Sequence, residues 1–466
     1  MSESQPPTQP WQILVAERRR ELDALISSQW RLSEEFRASL PADSQRVLCD
    51  SELGIMENYS AGQLFQRLAW GDSRSVDGTT AFCKRVAITQ QLDSCITEHF
   101  FSKALERARY LDEYLKREGK GIGPVHGLPI SIRYFLCRGC AHDHRYVSFL
   151  NNGVESQDST LVSLLLDLGA ALYVKTNIPQ TLMSADPDNN IYGRTLNPHN
   201  TNLTAGGSGG GEGALVALRG SILGIGNDIG DFTRIPALCC GVYGFKSTSN
   251  RIIFVGQVLG MMPGVMGIES SAGTLAQTFD DLRYHCPVAW SRVRVSIFLT
   301  FGVLPEDPKY PLHSPVRRAL ESAIAVLQGK RHRIVRLPSD PSRDIAYASR
   351  WILHGEPPVQ SVANFASPMF PGTFPVSQEL EVFEKLSALY IACEKIQRLD
   401  AYPACIIPYL QASKNLDSEP MLVEDDDPEA VHGAPWALQI VTPRFQDEKC
   451  LAVARVIDRD IRLEGR

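Results

Sequence analysis

The fold of this chain is decided by one glycine-rich stretch, residues 206–215, with the sequence GGSGGGEGAL. Glycines ahead of a helix let backbone N–H groups approach a ligand closely at the positive end of the helix dipole. The stretch has neither the GxGxxG spacing of dinucleotide-binding loops nor the lysine-bearing pattern of P-loops, so nucleotide binding is not expected. It predicts a helix that begins near Gly211 and runs through Arg219. The glycines alone leave a ligand-binding loop and a tight packing turn equally open.

Strands and helices alternate on both sides of this stretch. Apolar runs predict strands at residues 128–135, 171–176, 222–226, 295–300, 332–337 and 405–408. Helical spacing predicts helices at residues 11–30, 79–116, 159–168, 314–329, 379–398 and 445–462, with Asp158 or Ser159 as the N-cap of the third. This alternation predicts an α/β fold in which helices cover both faces of the sheet.

The organisation of the chain predicts one structural domain. The sequence shows no internal repeat and no long linker between its 466 residues. We expect residues 1–75 to form an N-terminal helical region that packs on a core made by residues 76–466.

Composition excludes several classes of function. Hydrophobic residues make up 44% of the chain, and the net charge of -6 is spread without a basic cluster, so no nucleic-acid partner is expected. The most apolar stretch, residues 161–174, is interrupted by Asp167 and is too short to span a bilayer. The polar first ten residues do not resemble a secretory signal, and eleven irregularly spaced cysteines predict free thiols in the cytoplasm.

Several other segments, taken with the glycine-rich stretch, resemble the amidase signature family, particularly its fungal acetamidase-like members and their relative fatty-acid amide hydrolase. They are GPVHGLPIS at 123–131, VKTNIPQTLMS at 174–184, NIYGRTLNPH at 190–199, DIG at 228–230, RIP at 234–236, CGVYGFK at 240–246 and LQIV at 438–441. The ordered matches run almost from end to end. The resemblance implies the family's fold, a single large mixed β-sheet flanked by helices on both faces.

The resemblance also implies a catalytic site. Members of the family cut amides with a nucleophilic serine, a second serine held by a cis peptide bond, and a neutral lysine as the ultimate base. Matched motif by motif, the bridging serine is Ser208, whereas Arg133 stands at the lysine position and Phe232 at the nucleophile position. The oxyanion-binding and substrate-binding positions that the resemblance carries over are Met183, Ser184, Asp228, Ile229, Gly230 and Asp231.

These replacements remove the groups that the chemistry requires. Phenylalanine has no nucleophilic atom, and a guanidinium stays protonated at any accessible pH, so Arg133 cannot act as a base. Asp231 replaces a glycine and would place a carboxylate where negative charge must develop. We therefore predict a pseudoenzyme with no or very weak amide hydrolysis. It would keep a ligand-binding or accessory biosynthetic role toward a small amide or amide-like molecule, without a cofactor or metal, and homo-oligomerisation stays open.

Other interpretations remain open on the sequence. An active amidase could reroute its catalysis through Ser208 or through Thr233, and a decayed gene product would have no role. Ser208 also fits the G-x-S-x-G nucleophile elbow of α/β-hydrolases, which requires a strand directly before the serine. Cysteine and histidine at 137–144 follow C-x2-C-x-H-x-H, but so short a segment can hardly wrap a tetrahedral zinc ion.

Two further expectations concern the neighbourhood of the site. The segment at 282–295 and the stretch before Tyr402 are shorter than their counterparts in the family, which indicates either a reshaped pocket or an error in the gene model. Because the replaced positions should converge in space, we expect Arg133 to lie within ion-pair reach of Asp231 or of polar neighbours such as Ser208 and Asp228.

Overall fold

The computed structural model describes residues 10–24, 26–33, 48–133, 157–182, 184–230, 232–249, 251–252, 256, 270–285, 295–296, 298–306, 312–338, 402–417 and 428–462. The predicted helix at 379–398 and the cysteine- and histidine-containing segment at 137–144 lie outside the described residues, as do Met183 and Asp231.

Helices lie along the whole described chain. Their bounds are α1 Pro10–Ala24, α2 Asp50–Glu57, α3 Ala61–Trp70, α4 Ser75–Asp93, α5 Phe101–Glu118, α6 Thr160–Asp167, α7 Gly210–Ala217, α8 Arg234–Cys239, α9 Ser314–Gly329 and α10 Asp447–Arg462. The glycine-rich stretch therefore leads directly into α7, as its sequence predicts. Ser159 caps α6, because its side chain accepts a hydrogen bond from the backbone N–H of Val162 at 3.4 Å.

A large mixed sheet forms the centre of the fold. The strands are β1 Ile96–His99, β2 Pro129–Arg133, β3 Ala171–Thr176, β4 Leu223–Asp228, β5 Tyr243–Lys246, β6 Ser271–Ala276, β7 Thr300–Val303, β8 Arg333–Arg336, β9 Ala404–Gln411 and β10 Pro435–Val441. Eight of them pair in the order β1-β3-β2-β4-β6-β5-β9-β10, while β7 and β8 form a separate parallel pair. The predicted mixed sheet flanked by helices is confirmed.

The middle of the sheet is parallel and fully covered. Strand β2 pairs in parallel with β3 on one side and with β4 on the other. Every residue of β2 and β3 is buried, which is typical of a parallel strand covered on both faces. Parallel strands end at the same edge, so the carboxyl ends of β2 and β4 lie side by side. This edge is where functional residues collect in open α/β sheets.

Three predicted elements need correction. The single helix expected at 79–116 is α4 and α5 with β1 between them, because Ser94 adopts a left-handed φ of 55° that ends α4. The strand expected at 295–300 lies later in the chain, at Thr300–Val303. The helix expected from 445 begins at Asp447, since Phe445 has a φ of 61° that no helix interior allows.

No helix within the described ranges is both long enough and apolar enough to cross a membrane. Within the same ranges, no group of three or more histidine, cysteine, aspartate or glutamate side chains is arranged to hold a metal ion.

The packing of α7 on the sheet gives a test of the fold. A Cβ added at Gly211 would lie 2.5 Å from the backbone nitrogen of Asn177 and 2.6 Å from the carbonyl oxygen of Cys95. Backbone atoms cannot yield to such contacts, so Gly211→Ala should lower the free energy of unfolding by at least about 2 kcal/mol. Urea unfolding followed by circular dichroism measures the change.

The matched control is Gly78→Ala in α4. No atom lies within 4 Å of a Cβ built at Gly78, so alanine there should be neutral or stabilising by up to about 1 kcal/mol. Equal losses in the two variants would contradict the described contact between α7 and the loop after β3.

Candidate functional site

The candidate site lies at the carboxyl ends of β2 and β4. Arg133 is the last residue of β2, and Asp228 is the last residue of β4. Ser208 stands two residues before α7, and Phe232 stands two residues before α8. All four side chains are buried, with exposed fractions of 5% or less. The structure thus brings together Arg133, Ser208 and Phe232 in one small volume, as the motif matching predicts.

The Arg133 guanidinium is the centre of this volume. Its Nη2 donates a hydrogen bond to Ser208 Oγ at 2.5 Å, and its Nη1 donates to the backbone carbonyl of Asn227 at 2.9 Å. Nη1 also contacts the side-chain oxygen of Asn227. The expectation that Arg133 reaches Ser208 is confirmed, whereas the expected pairing with Asp231 lies outside the described residues.

Phe232 lies against the same guanidinium. Arg133 Cζ stands 5.9 Å from the centre of the Phe232 ring, a cation–π arrangement. Gly209 separates the two residues: a Cβ at Gly209 would lie 2.5 Å from the carbonyl oxygen of Phe232 and 3.5 Å from Arg133 Cδ. The glycine-rich stretch is therefore a close-approach loop as well as the start of a helix.

Ser208 is fixed by its backbone as well as by Arg133. The peptide bond between Gly207 and Ser208 is cis. A Cβ at Gly207 would lie 2.2 Å from the carbonyl oxygen of Ser184, so the chain that carries Ser184 packs directly on this peptide. The described residues 205–209 form no strand. A nucleophile elbow requires a strand directly before its serine, so Ser208 does not stand in one.

Asp228 holds the loop that contains Phe232. Its carboxylate receives hydrogen bonds from Arg234 Nε at 3.0 Å, from Arg234 Nη2 at 2.9 Å and from the backbone N–H of Thr233 at 3.1 Å. Both partners of this ion pair are within 1% of full burial. These bonds join the end of β4 to the start of α8, and Ile229 and Gly230 directly follow Asp228.

The charge state of Asp228 follows from these partners. Burial by itself raises the pKa of Asp228, but the Arg234 charge and hydrogen bonds, with the buried Lys246 nearby, bring the pKa below its ordinary value. Asp228 is thus a carboxylate at neutral pH, and its hydrogen bonds with Thr233 and Arg234 hold the chain that follows Phe232.

The Thr233 hydroxyl lies against the sheet. Its hydroxyl oxygen lies 2.6 Å from a Cβ position built at Gly273 and 3.1 Å from one built at Gly226, so it rests on the floor formed by β4 and β6. Among the residues that the structure describes, this buried oxygen has no hydrogen-bond partner. A base that could activate Thr233 is therefore missing from its described surroundings.

Sequence reasoning missed three residues of the site. Asn227, Glu212 and Arg234 contribute directly to its hydrogen bonds, although none was singled out as a site residue. A signal existed for Arg234, which follows Asp228 by six residues in a buried loop and carries an opposite charge. Glu212 stands in the first turn of α7, where a carboxylate is common, and so gave no distinctive signal.

A large cavity has one residue, Arg234, in common with the surroundings of the site. Its volume is about 1040 Å³, and it lies between β7, α9, α10 and β10. Apolar side chains such as Phe301, Ile324 and Leu438 line most of it, and of the described site residues Arg234 alone is in its lining. A cavity of this size and lining is typical of small-molecule sites.

Comparison with known proteins gives consistent relatives. A family model described as "Amidase" matches residues 77–355. An amidase of Gibberella moniliformis is 33% identical, covering 96% of this chain and 98% of the relative. An acetamidase of Emericella nidulans is 30% identical, covering 97% of this chain and 98% of the relative. The first of these alignments spans 523 residues, more than the 466 of this chain, so this chain carries gaps against that relative.

A solved structure gives the same result in three dimensions. The structure of a fatty acid amide hydrolase superposes with a TM-score of 0.81 at 25% identity, covering 97% of this chain and 95% of the other. A second structure, of an amidase, superposes with a TM-score of 0.67 at 19% identity, covering 86% of this chain and all of the other.

The buried ion pair at the site is testable. Asp228→Asn leaves the Arg234 charge buried without its partner and should lower the free energy of unfolding by about 3–5 kcal/mol. Because folding lowers the pKa of Asp228, its contribution to stability is complete above the ordinary value of 3.8 and is lost as the pH falls through the lower value of the folded state. Urea unfolding over a pH series that starts at pH 7 should therefore give the largest difference between wild type and variant at pH 7, and a difference that shrinks as the pH falls below 3.8.

The control is Asp77→Asn, which removes the exposed pair between Arg74 and Asp77 at the start of α4. Water screens that pair, so the effect should be much smaller than that of Asp228→Asn. Similar effects of the two substitutions would show that Asp228 does not hold its loop.

Proposed function

Because this chain belongs to the amidase family, we propose that it is an amidase-like protein that binds a small amide or amide-like molecule without hydrolysing it. The proposal combines the family's framework with the residues that stand at the reacting positions. Membership of the family is the reason to expect an amide ligand. The side chains around Ser208 are the reason to expect that the ligand is not hydrolysed.

The hydrogen bond from Arg133 to Ser208 carries the proposal. A serine that takes part in amide cleavage must lose its proton to a base at some step. The group that contacts Ser208 Oγ is a guanidinium, which has five donors and no acceptor. Arg133 can hold the hydroxyl oxygen but cannot accept its proton, so this contact supports binding and opposes catalysis.

Phe232 supports the proposal from the other side. Its ring occupies the position that the resemblance gives to the nucleophile, and it is 5% exposed. The ring lies 5.9 Å from the guanidinium that contacts Ser208, so we expect it to reduce the room that a tetrahedral intermediate would need there. In a serine-protease triad, loss of the nucleophile lowers turnover by about 10⁶-fold, so residual activity would be near background.

Rerouted catalysis is not favoured by the local geometry. The carboxyl groups of Glu212 and Asp228 are already engaged, since Glu212 is hydrogen-bonded to Ser131 and Thr176 and Asp228 to Arg234. Thr233 faces the floor of the sheet. A general base must lie within hydrogen-bond reach of the proton it takes, and none is found for Ser208 or Thr233 among the described residues.

The ligand is expected to be a small molecule with an apolar part. The cavity of about 1040 Å³ beside Arg234 offers the room, and the start of α7 offers backbone donors near Ser208.

We further propose that the protein is cytoplasmic, since its described cysteines, including the buried Cys95, Cys240 and Cys405, carry free thiols.

The first test is an assay for turnover. Purified protein should hydrolyse acetamide, aryl amides and fatty amides no faster than a mock purification does, because Phe232 and Arg133 replace nucleophile and base. A fluorophosphonate probe should likewise leave the protein unlabelled. Turnover above background that disappears in Ser208→Ala would contradict the proposal and favour a rerouted amidase.

The second test restores the site. Phe232→Ser alone should stay inactive, because Arg133 still cannot accept a proton. The combined change Arg133→Lys, Asp231→Gly and Phe232→Ser should give measurable hydrolysis of a simple aryl amide that Ser208→Ala then abolishes. Release of the aryl amine, followed by absorbance, measures both. Substantial activity in the single variant would show that an arginine can serve at the lysine position.

A further inference from the structure

A buried carboxyl group lies beneath the candidate site. Glu212 is in the first turn of α7, four residues after Ser208, and its side chain is fully buried. It contacts Ser131 on β2 and Thr176 at the end of β3. Ser131 in turn is 2.7 Å from Ser221, which precedes β4. Directly or through Ser131, the Glu212 side chain therefore links α7, β2, β3 and the segment before β4.

A count of hydrogens fixes the protonation state of this group. Three oxygen–oxygen contacts follow one another, from Glu212 Oε1 to Ser131 Oγ, from Ser131 Oγ to Ser221 Oγ, and from Ser221 Oγ to the backbone carbonyl of Leu223 at 2.9 Å. Each contact needs one hydrogen, a serine hydroxyl has only one, and a carbonyl has none. The two serines supply two hydrogens, so the third comes from the carboxyl of Glu212.

We propose that Glu212 is a positioning residue that carries a proton in the folded protein and, through that proton, ties the strand that bears Arg133 to the helix that follows Ser208. The protonated oxygen donates to Ser131, and the other oxygen accepts from Thr176 Oγ1 at 2.8 Å. Ser131 and Arg133 are two residues apart on β2 and so face the same side of the sheet. The inference holds whether or not the site binds an amide.

The electrostatic surroundings agree with a neutral acid. Burial raises the pKa of Glu212 to about 7, although its contacts with the hydroxyl groups of Ser131 and Thr176 and the charge of Arg133 act to lower it. The positive end of the α7 dipole acts in the same direction as Arg133. Burial outweighs these effects because the carboxyl has no contact with water.

The other titratable groups around this carboxyl do not change its balance. Tyr173 on β3 has its pKa raised by burial and donates its hydroxyl hydrogen to the Gly220 carbonyl at 2.6 Å, so it is neutral. Asp228 on β4 and Arg234 on α8 neutralise each other. The charged groups on the other elements packed against α7 are paired: Lys175 with Glu98, Lys84 with Glu52, Arg85 with Glu57 and Asp77 with Arg74. Burial raises the pKa of Asp93 to about 7, and it also raises the pKa values of the nearby thiols of Cys83, Cys95, Cys239 and Cys240.

The glycine at position 224 shows how tightly the carboxyl is held. A Cβ at Gly224 in β4 would lie 2.4 Å from Glu212 Oε1. The acid therefore rests on the backbone of β4 with no room to turn away from Ser131. If Glu212 were ionised, one of the three contacts would have no hydrogen, and two oxygen lone pairs would face each other there. Their repulsion is the physical reason that the proton is retained.

The test compares wild type with Glu212→Gln over a range of pH. Glutamine keeps a donor toward Ser131 and an acceptor toward Thr176, but it does not titrate. Folding raises the pKa of Glu212 from 4.5 to about 7, so the unfolded chain loses its proton first and the stability of the wild type falls over that interval. The unfolding constant of wild type relative to Glu212→Gln should rise roughly 10²-fold between pH 5 and pH 8.

A second readout checks the proton directly. The infrared spectrum of the folded wild type at pH 6 should contain the carbonyl stretch of a buried protonated carboxyl group, and Glu212→Gln should lack that band. A wild type that gains stability over Glu212→Gln as the pH rises, or a spectrum unchanged by the substitution, would overturn the inference by showing an ionised Glu212.

The positioning role is tested by the coupling between Arg133 and Ser208. The variants Arg133→Met, Ser208→Ala and their combination form a double-mutant cycle, and their urea unfolding midpoints give the coupling free energy between the two side chains. This coupling should persist in the Glu212→Gln background and fall at least several-fold in the Glu212→Leu background, which has no donor for Ser131. If Glu212→Leu folds too poorly to measure, Ser131→Ala replaces it, because it removes the same link. An undiminished coupling would limit Glu212 to a packing role.

Discussion

A guanidinium that is withdrawn from water is costly to leave without hydrogen-bond partners, and this cost organises the site. Arg133 is 1% exposed and directs its donors to Ser208 and to Asn227. Those contacts connect the end of β2 with the end of β4 and with the loop before α7. A small neutral side chain could not make all of them, so the position of Arg133 sets the positions of its neighbours.

The framework around Arg133 is held by contacts that need no reactive group. The buried Asp228 carboxylate pairs with Arg234 and accepts from the backbone N–H of Thr233, and Gly209 lets Arg133 and Phe232 approach each other. These contacts depend on charge pairing and on close backbone approach. They do not depend on a nucleophile, so the family fold, which superposes on a fatty acid amide hydrolase with a TM-score of 0.81, does not require a particular residue at position 232.

Much of this arrangement could be predicted from the sequence. The span of β3 and the bounds of α9 follow from apolar patterns, and the ordered family motifs place Arg133, Ser208 and Phe232 together. Tertiary contacts decided the rest. The residues of β1 lie within a helical pattern of apolar residues, and only the pairing of β1 with β3 identifies them as a strand. The role of Glu212 depends on which oxygens surround it in space, and no local pattern records that.

The central claim is that the site binds an amide and leaves it intact, and one nuclear magnetic resonance experiment measures both halves. Protein is mixed with a ¹³C-labelled primary amide that has an apolar tail, and saturation transfer and product formation are followed in the same tube. The account predicts saturation transfer to the amide, weakened by Ser208→Ala, with no labelled carboxylic acid formed. Accumulation of the acid at a rate that depends on Ser208 would contradict it.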